Sequence, residues 1–132
     1  MFAALRTAIT DAATAPVGSG GMGFPEASRV LYDELPASLP ALCVGPAALG
    51  QVARAKAKGA RSVAGVATLG VLVATDHAAG DAASDAAGAA MLAALYALGF
   101  SLVQYAQTED DWAGRAVFTV SAQFAAPVTQ DF

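Results

Sequence analysis

Between Val63 and Phe124 the apolar period changes from two to about 3.6 and back to two, which few architectures can accommodate. Val63, Ala67, Leu69, Val71 and Val73 share one face of an extended segment, and an Ala-rich helical run follows over residues 78–98. Phe100 to Ala106 is again extended and apolar. Ala116, Phe118, Val120, Ala122 and Phe124 then alternate with Arg115, Thr119, Ser121 and Gln123. Strand, helix and strand pair in this order predict a two-layer α/β unit.

The rest of the chain supplies further elements. Phe2, Leu5, Ile9 and Ala12 lie at helical spacing ahead of Pro16 and Gly18, which predicts an amphipathic helix over 2–14. Four glycines between Gly18 and Gly23 disfavour regular structure, so residues 17–25 are expected to form a flexible loop. A short strand is expected over 29–32, and a buried strand beginning at a proline over 39–45. The central helix is expected to be capped by Thr75 or Asp76 and closed by Gly99, with Met91, Leu95 and Leu98 packing beside Leu92 and Tyr96. No internal repeat or linker divides the 132 residues, so they read as one domain.

Composition narrows the function. Hydrophobic residues make up 56% of the chain, but much of this is alanine. The most apolar window, 86–100, falls short of the roughly 20 residues of a spanning helix. The N-terminus has no signal-peptide pattern. A single cysteine, Cys43, excludes an intrachain disulfide and fits a reducing compartment. The net charge of −4 argues against general nucleic-acid binding. The expectation is a soluble protein made in the cytoplasm, with no membrane segment.

The candidate chemical motifs are weak. Gly18-Ser19-Gly20-Gly21-Met22-Gly23 spells G-x-G-x-x-G, but it follows a helix and precedes Phe24-Pro25, with no βαβ unit around it. Asp76 and His77 would suit a small hydrolase with Ser62 or Cys43 as nucleophile, although no G-x-S-x-G elbow is present. Glu109, Asp110 and Asp111 are adjacent acids without the spaced ligand pattern of a metal site. No catalytic, cofactor-binding or metal residue is therefore assigned, and the chain is read as a non-enzyme.

Charge offers more. Arg54, Lys56, Lys58 and Arg61 form a basic segment in an acidic protein, and Glu109 to Asp111 could be its complement on a neighbouring copy. Trp112, beside that acidic turn, is the candidate aromatic anchor ahead of Tyr32 and Tyr105. Charged residues are only 14% of the chain against about 25% usually, which favours burial of surface against other chains.

The order of segments also resembles a known family. After the N-terminal helix and Gly-rich gap come Val30-Leu31-Tyr32-Asp33-Glu34-Leu35 and Leu39-Pro40-Ala41-Leu42-Cys43-Val44-Gly45, then the 62–75 strand, the 78–98 helix and the hairpin ending at 124. This resembles the tail-terminator (tail-completion) proteins of long-tailed bacteriophages, particularly those of Mu-like phages. The resemblance implies an α+β single domain: a two-layer sandwich whose mixed, mostly antiparallel sheet is packed by an N-terminal and a long central helix. It also implies a virion protein of the tail or neck, assembled in the host cytoplasm as a homo-oligomer, with a hexameric ring expected. The ring would cap the tail tube protein, stop tube growth and offer a docking surface to a neck or head–tail connector protein, with DNA passing near its pore. It implies no cofactor. A neck or connector subunit is the nearest alternative, and a small hydrolase or ligand-binding dimer are the others.

Overall fold

The computed structural model describes residues 1–32, 36–54 (Arg54 by its backbone alone) and 61–132. Helix α1 spans Phe2–Thr14. Ile9 and Ala13 on its apolar stripe are buried, and Ala15-Pro16 ends it because the residue before proline avoids helical geometry. Strands β1 (Glu26–Ser28), β2 (Ala41–Arg54) and β3 (Ser62–Asp76) follow. Helix α2 (Asp81–Ala97) then leads to β4 (Ser101–Trp112) and β5 (Arg115–Asp131).

The five strands form one sheet in the order β1-β2-β3-β5-β4. β1 pairs parallel with β2, and every other pairing is antiparallel. β3 and β5 are paired from Ser62↔Asp131 to Asp76↔Val117, so β5 returns between the two strands that α2 connects. The helices touch each other: α1 lies on β1 and β2, while α2 lies on β3, β4 and β5. Together they cover one face, and the domain is the expected two-layer α+β sandwich.

The core lies between the layers. Cross-strand pairs Leu69↔Phe124, Val71↔Ala122 and Val73↔Val120 point into it with Leu42 and Val44 of β2. Ile9, Met91 and Leu95 descend from the helices, and Phe100 meets Phe124 edge to face at 6.4 Å. Each such fully buried side chain contributes about 1.5–3 kcal/mol of hydrophobic stabilisation. α2 comes close to the sheet because its buried positions include Ser84, Ala87, Gly88 and Ala94. The Tyr105 hydroxyl fills the space that a Cβ at Gly88 would need. Gln107 of β4 donates to Ser84 Oγ and Asp85 Oδ1, both at 2.9 Å.

Several expected boundaries move. The strand expected at 29–32 is instead Glu26–Ser28, because the parallel pairing to Ala41–Cys43 is made there. Val30 and Leu31 are exposed. Residues Asp33, Glu34 and Leu35 of the resembling stretch lie outside the described residues. The helix expected from 78 begins at Asp81: Asp76 caps a separate 3-10 turn, His77–Ala79, by accepting from Ala78 N. Gly99 does close α2. Its φ of 90° lets its own N–H reach Tyr96 O while Phe100 N reaches Leu95 O, both at 3.0 Å. Leu98 and Tyr96, expected to pack, are exposed.

The Gly-rich stretch is tied down rather than loose. After a 3-10 turn at Val17–Ser19, Met22 and Phe24 are buried, and the peptide N–H groups of Met22, Gly23 and Phe24 bond to carbonyls of Ala12, Ala15 and Ala13.

The lengths of the layers do not match. α2 has 17 residues, about 25 Å, whereas β3 has 15, about 50 Å. β4 begins beside Ala125, which faces Thr68, so the helix layer stops near Thr68. Beyond it β2, β3 and β5 continue for about 20 Å as a three-stranded extension.

Candidate functional site

One end of this long sheet is acidic. At the end where β3 gives way to α2 lie Asp76, Asp81, Asp85, Glu109, Asp110 and Asp111, and Asp76 pairs with Arg115. These are six of the eleven acidic residues. At the other end β2 stops at Arg54 and β3 starts at Ser62, so the segment that bears four of the seven basic residues connects them. Arg61 is exposed there, and its carbonyl accepts Phe132 N at 2.8 Å. Lys56, Lys58 and the Arg54 side chain lie outside the described residues. Arg61 and the acidic turn are therefore about 45 Å apart within one copy, at opposite ends of β3 and β5.

The acidic end is internally organised. β4 and β5 join through a two-residue turn, Ala113 (φ 54°) and Gly114 (φ 87°), whose twist suits a hairpin. Asp111 Oδ1 accepts Gly114 N at 2.7 Å, and Asp110 Oδ2 accepts the Trp112 indole N–H at 3.0 Å. Trp112 is thus half-buried, with its indole N–H engaged within its own hairpin. His77 stacks on Phe118 with ring centroids 4.7 Å apart, and its Nε2 lies 2.9 Å from Glu109 Oε1. Asp76 Oδ2 accepts from Arg115 at 3.0 Å. The Ala78 N–H, then the Arg115 guanidinium, hold the Asp76 carboxyl below the usual carboxylate range.

This arrangement does not assemble a hydrolase. Glu109 takes His77 Nε2, while Ala78 and Arg115 occupy Asp76. Ser62 is about 45 Å away at the far end of β3. Cys43 is buried opposite Leu72, and burial pushes its thiol up, away from the reactive thiolate. Tyr32 donates to Leu42 O at 3.0 Å and is itself pushed up to about 12, mainly by burial. Nor is the G-x-G-x-x-G stretch a phosphate cradle. From Ser19 to Phe24 every backbone N–H is already bonded to a carbonyl of residues 12–17. Among the described residues no group of three His, Cys, Asp or Glu could hold a metal ion, and no helix is long and apolar enough to cross a membrane.

Two surfaces escaped the sequence reading. One is the face of the three-stranded extension that continues the helix-covered side. There Leu49 lies over Gly65, flanked by Val63 and Val128, all partly exposed. The other is a groove of about 450 Å³ between the helices, floored by Ala8, Ala12, Ala15, Ala94, Ala97 and Leu98 with Asp11 at its rim. The periodicity of β3 did carry a signal for the first, since Val63 keeps the phase of Leu69. The groove had none, because it depends on how α1 crosses α2. The sheet face away from the helices holds a smaller cavity of about 300 Å³ among Pro46, Gly70, Gln104, Ala106, Ser121 and Gln123, with no charged group. A comparison with protein-family models and with curated proteins finds no match to this chain.

Proposed function

We propose that this chain is a structural subunit of a phage tail, a tail terminator that closes into a ring on the end of the tail tube. The observation that carries the proposal is the sheet that outruns its helix layer: a core-like apolar face extends about 20 Å past the helices. A chain of this size has little reason to leave such a face bare unless another chain covers it. Opposite charge at Arg61 and the acidic turn adds direction. Arg61 and the acidic turn are about 45 Å apart within one copy, so a pairing of the two would join separate copies. A contact between two unlike patches generates rings or filaments rather than closed pairs.

The described chemistry suits an assembly role. Asp76, Asp85, Glu109, Asp110 and Asp111 of the acidic end are engaged in capping and pairing. In the ring, the extension and helix layer would supply the lateral contacts. The acidic end, with Trp112 and Glu109 to Asp111, would face the tube or the neck. Native mass spectrometry of the protein alone and with short tail tubes tests the reading. A six-subunit mass, or a monomer that becomes a ring only on tube ends, is the expected result. A strict monomer or dimer that ignores tubes would refute it, and binding to a portal-side ring instead would identify a connector subunit.

A further inference from the structure

We infer that the open edge of β4 pairs with the same edge of a second copy, antiparallel about a two-fold axis at Ala106. The inference goes beyond the ring reading and does not depend on it. β4 is the last strand of the sheet, and all of its 12 residues but Leu102 and Trp112 are exposed. The two-residue turn makes Trp112↔Arg115 a hydrogen-bonded pair, so the even-numbered residues of β4 bond to β5. Tyr105, Gln107 and Glu109 therefore aim their backbone N–H and C=O groups at solvent. Asp111 does so too, but Asp110 Oδ1 already accepts its N–H at 2.8 Å.

Among the described residues the other open edges are blunted. β1 has only three residues, and the open run of β2 carries Pro46 and bulges after Val44 and Gly50. Phe132 N bonds to Arg61 O, so the even-numbered residues of β5 bond to β3 and the odd-numbered ones point outward. Pro127 is one of these, and its ring stands where an outward N–H would be. From Gln104 to Thr108, β4 has no charge, proline, glycine or bulge to keep another strand away.

The same edge of a second copy fits this stretch. With Ala106 on the axis, Tyr105 lies opposite Gln107 of the second copy, and each supplies the donor and acceptor that the other lacks. Glu109 and Asp110 fall opposite Val103 and Leu102, so no two charges face each other. The two Glu109 residues stand about 20 Å apart, beyond the screening length. Sliding the strands toward the hairpin tips would bring the acids together, which selects this register. Apolar surface flanks the edge as well. Tyr105 reaches α2 at Gly88, and Leu92 and Tyr96, one and two turns further on, continue that stripe. Tyr96 and Val103 are 57% and 58% exposed, and a second copy that continues the sheet brings its own β4 and α2 beside them.

Disulfide trapping tests this. Ala106→Cys, Gln104→Cys and Ser121→Cys are prepared separately in the full chain, where the native Cys43 is buried. All three sites are exposed on the sheet face away from the helices. Across the axis Ala106 meets its copy as a non-hydrogen-bonded pair with Cα atoms about 4.5 Å apart, within disulfide reach. The two Gln104 residues, and likewise the two Ser121 residues, would be about 14 Å apart. In a glutathione redox buffer Ala106→Cys is expected to form the linked dimer at least tenfold faster than the other two. A mixture of Gln104→Cys and Thr108→Cys, which face each other in this register, is expected to link as fast, and it decides the matter if Ala106→Cys does not fold. Sedimentation equilibrium of the wild type and of Ala106→Lys runs in parallel. A lysine on the edge is expected to weaken the dimer at least tenfold. Linking no faster at Ala106 than at Ser121, or fastest at Gln104 alone, would overturn the pairing. A ring on tube ends without the Ala106 link would overturn the pairing only, and the link in a protein that ignores tubes would overturn the ring reading only.

Discussion

Along β3, the residues from Ala67 to Thr75 and those from Val63 to Val66 are chemically alike, rich in Val, Ala and Gly, yet their surroundings differ. In the first stretch every core-facing side chain is buried; in the second all four residues are only partly so. Both belong to the same unbroken ladder with β5. The difference comes from the helix layer, which ends near Thr68. The covered half therefore holds the fold's stability, and the less covered half is the surface that we propose another chain covers. Substitutions in the two halves should separate stability from assembly.

The largest effect belongs to the covered half. Phe124 is fully buried opposite Leu69 and against Phe100. Phe124→Ala should cost about 3–5 kcal/mol through lost burial and the cavity left behind, read as a lower urea midpoint with an unchanged slope. A loss below about 1 kcal/mol would mean that the layers pack more loosely than described. Gly21→Ala should come next. A Cβ there would run into the backbone of Ala15, which cannot move without disturbing the end of α1. Overpacking of this kind costs about 1–3 kcal/mol. An unchanged melting temperature would show the Gly-rich connection to be loose after all.

These two positions show what the sequence could and could not convey. Phe124 was legible because it keeps a strict alternation with its strand neighbours. Strand β3 was legible for the same reason and helix α1 by the helical spacing of Phe2, Leu5, Ile9 and Ala12, and their ends fell within a residue of those expected. The packing of Met22 and Phe24 was not, since four nearby glycines suggest a loose chain and the bonds that fix it reach back to α1. β2 runs to Arg54, well past the expected end at Gly45, because a bulge between Val44 and Ala47 absorbs Pro46. Ala47, Ala48 and Ala53 have too little contrast for a period to be seen. The acidic residues and Arg61 were visible in the sequence, but the placement of Arg61 at the end of the sheet opposite the acidic turn depended on strand order, a long-range property.

Asp76 sharpens the comparison at the acidic end, where the effect should be smaller and dependent on pH. Its carboxyl is held below the ordinary range by the Ala78 N–H first and by Arg115 second. A group whose folded value is depressed stabilises the protein above its unfolded value, and that contribution is lost as pH falls through the folded value. Asp76→Ala should therefore lower the urea midpoint at neutral pH and have progressively less effect as pH drops below the carboxylate range. An effect that stays constant between neutral pH and strong acid would assign the loss to packing of the 3-10 turn instead.

The smallest effect on the isolated subunit should come from the bare half, and it is the most informative. Val63→Ala removes two methyl groups from a side chain that is already partly in water, so the monomer should lose only about 0.5–1 kcal/mol. If no other chain covers this face, the same figure should hold at every protein concentration. If another copy covers it, Val63 becomes a core residue in the assembly and the same substitution should cost each contact more than it costs the fold. Melting the wild type and Val63→Ala across a hundredfold range of concentration separates these cases. With coverage, the difference in melting temperature grows as concentration rises, because association stabilises the wild type by mass action and the variant less. A difference that stays small and flat would mean that the sheet outruns its helices for a reason other than assembly.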